Sequence, residues 1–172
     1  MKEGLERLNA LSQEEAEAEL LKCCGSTLWA RRMAEERPFH DLQELLAKAD
    51  AEWWSLDEED WLEAFSRHPK IGEKEAARSQ TEAARKWSEQ EQAGTHSADE
   101  ETRRALAEAN REYEKKFGYI YIVCAAGKSA GEMLAICQER LRNDADKEMR
   151  VAAEEQRRIT HLRLQKLLMN ES

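Results

Sequence analysis

At five expected helix starts along this chain a small polar or acidic residue stands three positions before a glutamate. The pairs are Ser12 with Glu15, Asp41 with Glu44, Ser55 with Glu58, Ser97 with Glu100 and Ser129 with Glu132. Each has the composition of a capping box: the first side chain accepts from an orphan N–H of the opening helical turn, and the glutamate reaches back. Stop signals alternate with these starts, at Gly25, Pro38, Pro69, Gly94 and Gly118, where glycine permits a left-handed cap or proline bars continuation. Together they predict helices over 12–24, 26–36, 41–53, 55–67, 74–93, 97–117, 129–142 and 145–168. The connections are short, and neither a linker nor an internal repeat is visible. The expected fold is therefore all-α, one compact domain of about eight helices over 1–172.

Composition narrows the partners. The chain carries 27 basic and 36 acidic residues, a net charge of −9, which argues against a nucleic-acid groove because phosphate contacts need a basic face. No apolar run approaches the roughly 20 residues of a membrane helix. The first residues, MKEGLERLNALSQEEAEAE, lack an apolar signal core, and the ending LLMNES is no peroxisomal address, so a cytoplasmic protein is expected. Cys23, Cys24, Cys124 and Cys137 fit no zinc spacing and read as reduced thiols. His40, His96 and His161 share no ligand spacing with His68, and no metal site is expected.

One stretch resists the helical reading. YIYIVCAA, residues 119–126, is aromatic, β-branched and apolar, a composition that prefers extended backbone. No second segment reads as a strand to pair with it. Its buried N–H and C=O groups must then find partners in loops, side chains, another subunit or a ligand.

Three groups carry candidate chemistry. Pro69 pushes His68 out of α geometry, so the helix bearing Trp61, Leu62 and Phe65 ends there. The imidazole lies near a helix C-terminus, where it either caps the helix or serves acid–base chemistry. In WSEQEQAG, residues 87–94, Ser88, Glu91 and Gln92 share one helical face; they either meet solvent or offer hydroxyl, carboxylate and amide to a ureido or imide group. Glu89 and Gln90 point elsewhere. Arg163 lies beside Leu162 and Leu164, four residues after Ile159, at the edge of an apolar stripe. From there it either snorkels to water or forks onto a carboxylate.

The order of these groups along the chain is more specific than any one of them. RHPKIGEK, WSEQEQAG, NREYEKKFGYIYIVCAAGKS, RLRND and EEQRRITHLRLQKL occur in that order, and the series resembles the family of 2-oxo-4-hydroxy-4-carboxy-5-ureidoimidazoline (OHCU) decarboxylases over nearly the whole chain. The resemblance implies an all-helical, usually homodimeric enzyme that needs no cofactor. It would act on a small ureidoimidazoline late in purine breakdown, releasing CO2 and forming (S)-allantoin. By that likeness His68 matches the catalytic histidine and Pro69 the residue that fixes it. Ser88, Glu91 and Gln92 match the ligand-binding helix face. Tyr121, Ile122, Val123, Cys124 and Ala125 match the stretch whose backbone holds the ring, and Arg163 matches the arginine of Leu-Arg-Leu, counted with His68 and Glu91 among the catalytic residues. Tyr119 stands where the family often has Phe. Two rival readings are a non-catalytic helical interaction module and a hydrolase acting on a related ureide.

Overall fold

A computed structural model of the chain describes residues 1–70, 82–91 and 99–169, with backbone alone at 82, 83 and 85. Among these residues the regular structure is α-helical throughout: α1 (Lys2–Ala10), α2 (Gln13–Leu21), α3 (Thr27–Glu35), α4 (Leu42–Trp54), α5 (Glu58–Ser66), α6 (Glu82–Glu91), α7 (Glu100–Phe117), α8 (Ala130–Arg140) and α9 (Ala145–Met169). No strand occurs among the described residues, and the all-α expectation holds. The chain divides into two compact units, one formed by residues 1–64 with the chain from 157 onward, the other by residues 65–156.

Helix starts follow the capping logic with two substitutions. Ser12, Asp41 and Ser129 each accept from the backbone N–H three residues on. At Ser129 the full reciprocal box forms, with Glu132 accepting from the Ser129 N–H. The expected pair of Ser55 with Glu58 does not form. The Ser55 hydroxyl donates instead to the Glu52 carbonyl at 2.8 Å, closing α4, and Asp57 accepts from the Asp60 N–H to open α5. The helix expected at 97 starts at Glu100 behind Asp99, which accepts from the Thr102 N–H at 2.7 Å. Ser97 and Gly94 lie outside the described residues, as does much of the expected 74–93 helix. Gly118 ends α7 at φ 85°, a left-handed conformation that glycine adopts without steric cost.

In the first unit, α2 packs on α3 and α3 on α4. Trp29, wholly buried, donates its indole N–H to the Ala49 carbonyl at 3.1 Å, so the apolar face of α3 is also tied to α4 by a polar bond. Trp61 donates to the Trp53 carbonyl at 3.0 Å, the two rings 5.8 Å apart. Arg37 donates to the carbonyls of Ala34, Leu8 and Leu11, supplying donors to helix ends that lack partners of their own.

Helix α1 has no sequence-level start signal, because Met1 provides no side-chain cap. Tertiary packing holds it. Leu5 and Leu8 are buried, and Gly4 lies so close to α9 that a Cβ there would stand 2.7 Å from the Leu168 Cα. Overpacking against backbone, which cannot rotate away, costs about 1–3 kcal/mol. Gly4→Ala is therefore expected to lower the unfolding free energy from a urea titration by that much, whereas exposed Glu3→Ala should stay within about 0.5 kcal/mol.

Candidate functional site

The second unit gathers most of the candidate residues. Helix α5 ends at Ser66, and the His68 N–H closes its last turn on the Phe65 carbonyl at 3.2 Å. Phe65 is buried, its ring 5.4 Å from that of Tyr119, which anchors the helix end. The half-buried imidazole of His68 places Nε2 2.5 Å from the Gln156 side-chain oxygen on α9. Two residues on, Lys70 pairs with Glu114 of α7 at 3.0 Å.

On α6 the expected face is divided by burial. Ser88 is buried and donates back to the Ala84 carbonyl at 3.0 Å. Glu91 is half-buried, and Glu89 and Gln90 are exposed. Gln92 lies outside the described residues.

The segment after Gly118 is extended without being a strand. Tyr121, Val123 and Ala125 alternate into an apolar cluster with Leu106, Tyr113, Met133 and Cys137. Ile122 and Cys124 are buried outside that cluster. Such alternation is the period-two signature of extended backbone. With no neighbouring strand, side chains take over its main chain. Arg140 donates to the Ile122 carbonyl at 2.7 Å, and Glu155 accepts from the Cys124 N–H at 3.3 Å. Lys128 donates to the Cys124 carbonyl at 2.7 Å, and the Lys128 N–H bonds the Ala125 carbonyl at 3.0 Å. Among the described residues, the Val123 N–H and C=O and the Ala125 N–H have no hydrogen-bond partner, although both residues are buried.

Arg140 is only 6% exposed and centres a polar network. Its guanidinium meets Glu148, itself wholly buried, through Nε at 3.0 Å and a second nitrogen at 2.6 Å. Tyr113 donates its hydroxyl to the same carboxylate, and Asn143 donates to it at 3.0 Å. Tyr121 lies under the guanidinium, 4.9 Å from ring centre to Cζ. Burial by itself would lower the arginine pKa; the Glu148 hydrogen bond, together with the electrostatic pull of Tyr113, Glu148 and Tyr121, outweighs it and raises the pKa. The same burial, reinforced by the Glu148 bond, raises the Tyr113 phenol. The arginine therefore stays charged, and the tyrosine neutral.

Cys124 links the segment to the carboxylates. Burial raises its thiol pKa, Lys128 opposes that rise, and Glu155 and Glu91 add to it. Glu91 thus lies within electrostatic range of Cys124, whose N–H is held by Glu155. Next to Glu155, Gln156 meets His68.

Glu155, Gln156 and Arg140 were not among the expected site residues. The missed signal is the four-residue stride of α9: Glu148, Ala152, Gln156, Thr160 and Leu164 are all buried. Polar residues in register with an apolar stripe face inward, where each requires a partner.

Arg163 belongs to the first unit and is 4% exposed. The expected alternative of a snorkelling side chain therefore fails; the guanidinium donates to the Lys22 carbonyl at 3.4 Å. It opposes the rise that burial imposes on the neighbouring thiols of Cys23 and Cys24, the latter still pushed up to about 12. Among the described residues no group of three or more His, Cys, Asp or Glu could hold a metal, and no helix is long and apolar enough to cross a membrane.

Comparison with known proteins adds a family. The family model for OHCU decarboxylase matches residues 9–165. The chain is 34% identical over 162 residues to the uric acid degradation bifunctional protein TTL of Arabidopsis thaliana, covering 94% of this chain and 50% of that one. It thus spans half the length of that relative. It is 29% identical over 133 residues to the 2-oxo-4-hydroxy-4-carboxy-5-ureidoimidazoline decarboxylase of Mus musculus, covering 77% of this chain and 74% of that one. A crystal structure of OHCU decarboxylase in the presence of (S)-allantoin aligns with a TM-score of 0.75 at 36% identity, over 88% of this chain and 98% of the other.

Two measurements check the geometry above. Arg140→Met leaves Glu148 buried without its cation, a change that costs about 3–5 kcal/mol; urea unfolding should show that loss. Arg104→Met, at an exposed pair with Glu100, should show almost none. All four cysteines are buried, so the folded protein should resist iodoacetamide at pH 8 and be alkylated four times after unfolding. The folded Cys24 pKa of about 12 exceeds the ordinary 9. Its contribution to stability is therefore intact below pH 9 and lost as pH rises towards 12.

Proposed function

We propose that this chain, which belongs to the OHCU decarboxylase family, removes CO2 from 2-oxo-4-hydroxy-4-carboxy-5-ureidoimidazoline and forms (S)-allantoin. The observation that carries the reading is the buried, ladder-less stretch from Tyr121 to Ala125, its main chain only partly paired among the described residues. A flat heterocycle with alternating N–H and C=O edges is complementary to such backbone. In support, the charge of Glu91 acts on Cys124 of this stretch, and Glu155, which accepts from the Cys124 N–H, precedes on α9 the Gln156 that meets His68. The relative crystallised in the presence of (S)-allantoin supports the choice of heterocycle.

The chemistry asks for little beyond positioning and proton management. The bond from the ring carbon to its carboxylate breaks, CO2 departs, and the electron pair flows into the adjoining C=N unit. The hydroxyl on that carbon becomes a carbonyl as its proton leaves. His68 polarises that hydroxyl or the departing carboxylate, and a proton returned to one face fixes the hand of the product. Glu91, with Ser88 and, by the family likeness, Gln92, orients the ureido arm. The peptide groups around Val123 hold the ring edge, and Pro69 keeps the imidazole out of the helix. Arg163 keeps the role that the family likeness gives it, countering substrate charge. No cofactor enters this scheme. A homodimer and a cytoplasmic setting complete the proposal, both carried by the family resemblance and the charged, acidic sequence.

Adding protein to freshly made substrate and following allantoin by circular dichroism tests the assignment: rapid optical activity is expected, and a slow racemic product would refute it. His68→Ala should lower the stereospecific rate by about 10²–10⁴-fold. Glu91→Gln should raise KM with the helical spectrum unchanged; an unaltered KM would remove Glu91 from the substrate contacts.

A further inference from the structure

We propose that Gln156 sets the tautomer of His68: its side-chain oxygen takes the hydrogen on Nε2, leaving Nδ1 as the nitrogen that exchanges a proton with the substrate. This rests on the acid–base role of His68 proposed above, but the tautomer itself can be read without turnover.

The geometry is direct. The Gln156 oxygen and His68 Nε2 are 2.5 Å apart, within hydrogen-bond distance and at its short end. An amide oxygen only accepts, so the ring nitrogen facing it must carry hydrogen. Gln156 is wholly buried on the inward stride of α9, between Ala152 and Thr160, so its side chain cannot exchange this partner for solvent. A neutral imidazole carries one hydrogen; with Nε2 occupied, the basic lone pair is on Nδ1.

The amide, rather than a carboxylate, is the informative choice. Glu155, one residue earlier, is turned to the Cys124 N–H. On the histidine's own segment Arg67 adjoins it, and Lys70 is paired with Glu114 of α7. A carboxylate at 156 would favour the imidazolium by adding an opposite charge. The glutamine orients the ring without adding that charge, so the imidazole can take up a proton and release it. Gln156 is thus a positioning residue, acting through His68.

Nitrogen-15 histidine spectra of the full, unliganded chain, recorded where the rings are neutral and assigned by subtracting the His68→Asn spectrum, test the proposal. Wild type should show His68 with hydrogen on Nε2 and an imine-type Nδ1. Gln156→Met, similar in length but without the oxygen, should give a tautomer mixture, with kcat lowered about 10–100-fold, the usual effect of losing a histidine's orienting partner, and KM nearly unchanged. Gln156→Glu retains an oxygen and should restore the Nε2–H pattern. A wild-type ring protonated on Nδ1, or a Met variant with the wild-type pattern, would overturn the proposal even where a variant is poorly folded, because the first reading needs no variant. Should His68→Asn keep full stereospecific turnover while the spectra behave as expected, the functional reading falls and the tautomer assignment stands.

Discussion

The buried contact between Arg140 and Glu148 is the constraint on which the second unit depends. Taking two opposite charges out of water costs several kcal/mol per ion, and attraction repays it only where the remaining donors and acceptors are also met. Here they are met: the carboxylate receives Arg140, Tyr113 and Asn143, and the guanidinium also reaches the Ile122 carbonyl. That last bond does work a neighbouring strand would otherwise do. It allows an extended, apolar segment to be buried inside a helical unit without a sheet around it.

From this anchoring follows a division of labour within five residues of chain. The side chains of Tyr121, Val123 and Ala125 fill the apolar cluster, while parts of the intervening main chain are held by charged side chains from α8, α9 and the loop before α8. Backbone donors fixed in this manner pay their ordering cost at folding rather than at binding. In the proposed reading they meet a neutral amide edge without adding positive charge to an acidic protein. On α9, Glu155 fixes Cys124, and the adjoining Gln156, an amide rather than a carboxylate, meets His68.

Local signals made most helix boundaries legible because caps act within three or four residues of their partners. They failed where a cap competed with a second use. Ser55 closes α4 and so cannot open α5; Asp57, two residues later, takes the N–H. Helix α1 left no signal because packing of Gly4, Leu5 and Leu8 holds it. The pre-proline turn at His68 was visible from residue chemistry alone. Gln156 was hidden in a charged run, and Arg140 stood in a motif whose order was read but whose purpose was not. Both side chains act across long sequence separations, 88 residues for Gln156 with His68 and 18 for Arg140 with Ile122, which no local pattern encodes.

A crystal structure of the protein soaked with (S)-allantoin is the most direct measurement. The account predicts the hydantoin ring against the main chain of residues 121–125, with the ureido arm at Glu91 and the ring carbon within hydrogen-bonding reach of the imidazole of His68. Density for the ligand elsewhere, with the Val123 peptide paired to protein and His68 remote from it, would contradict the account.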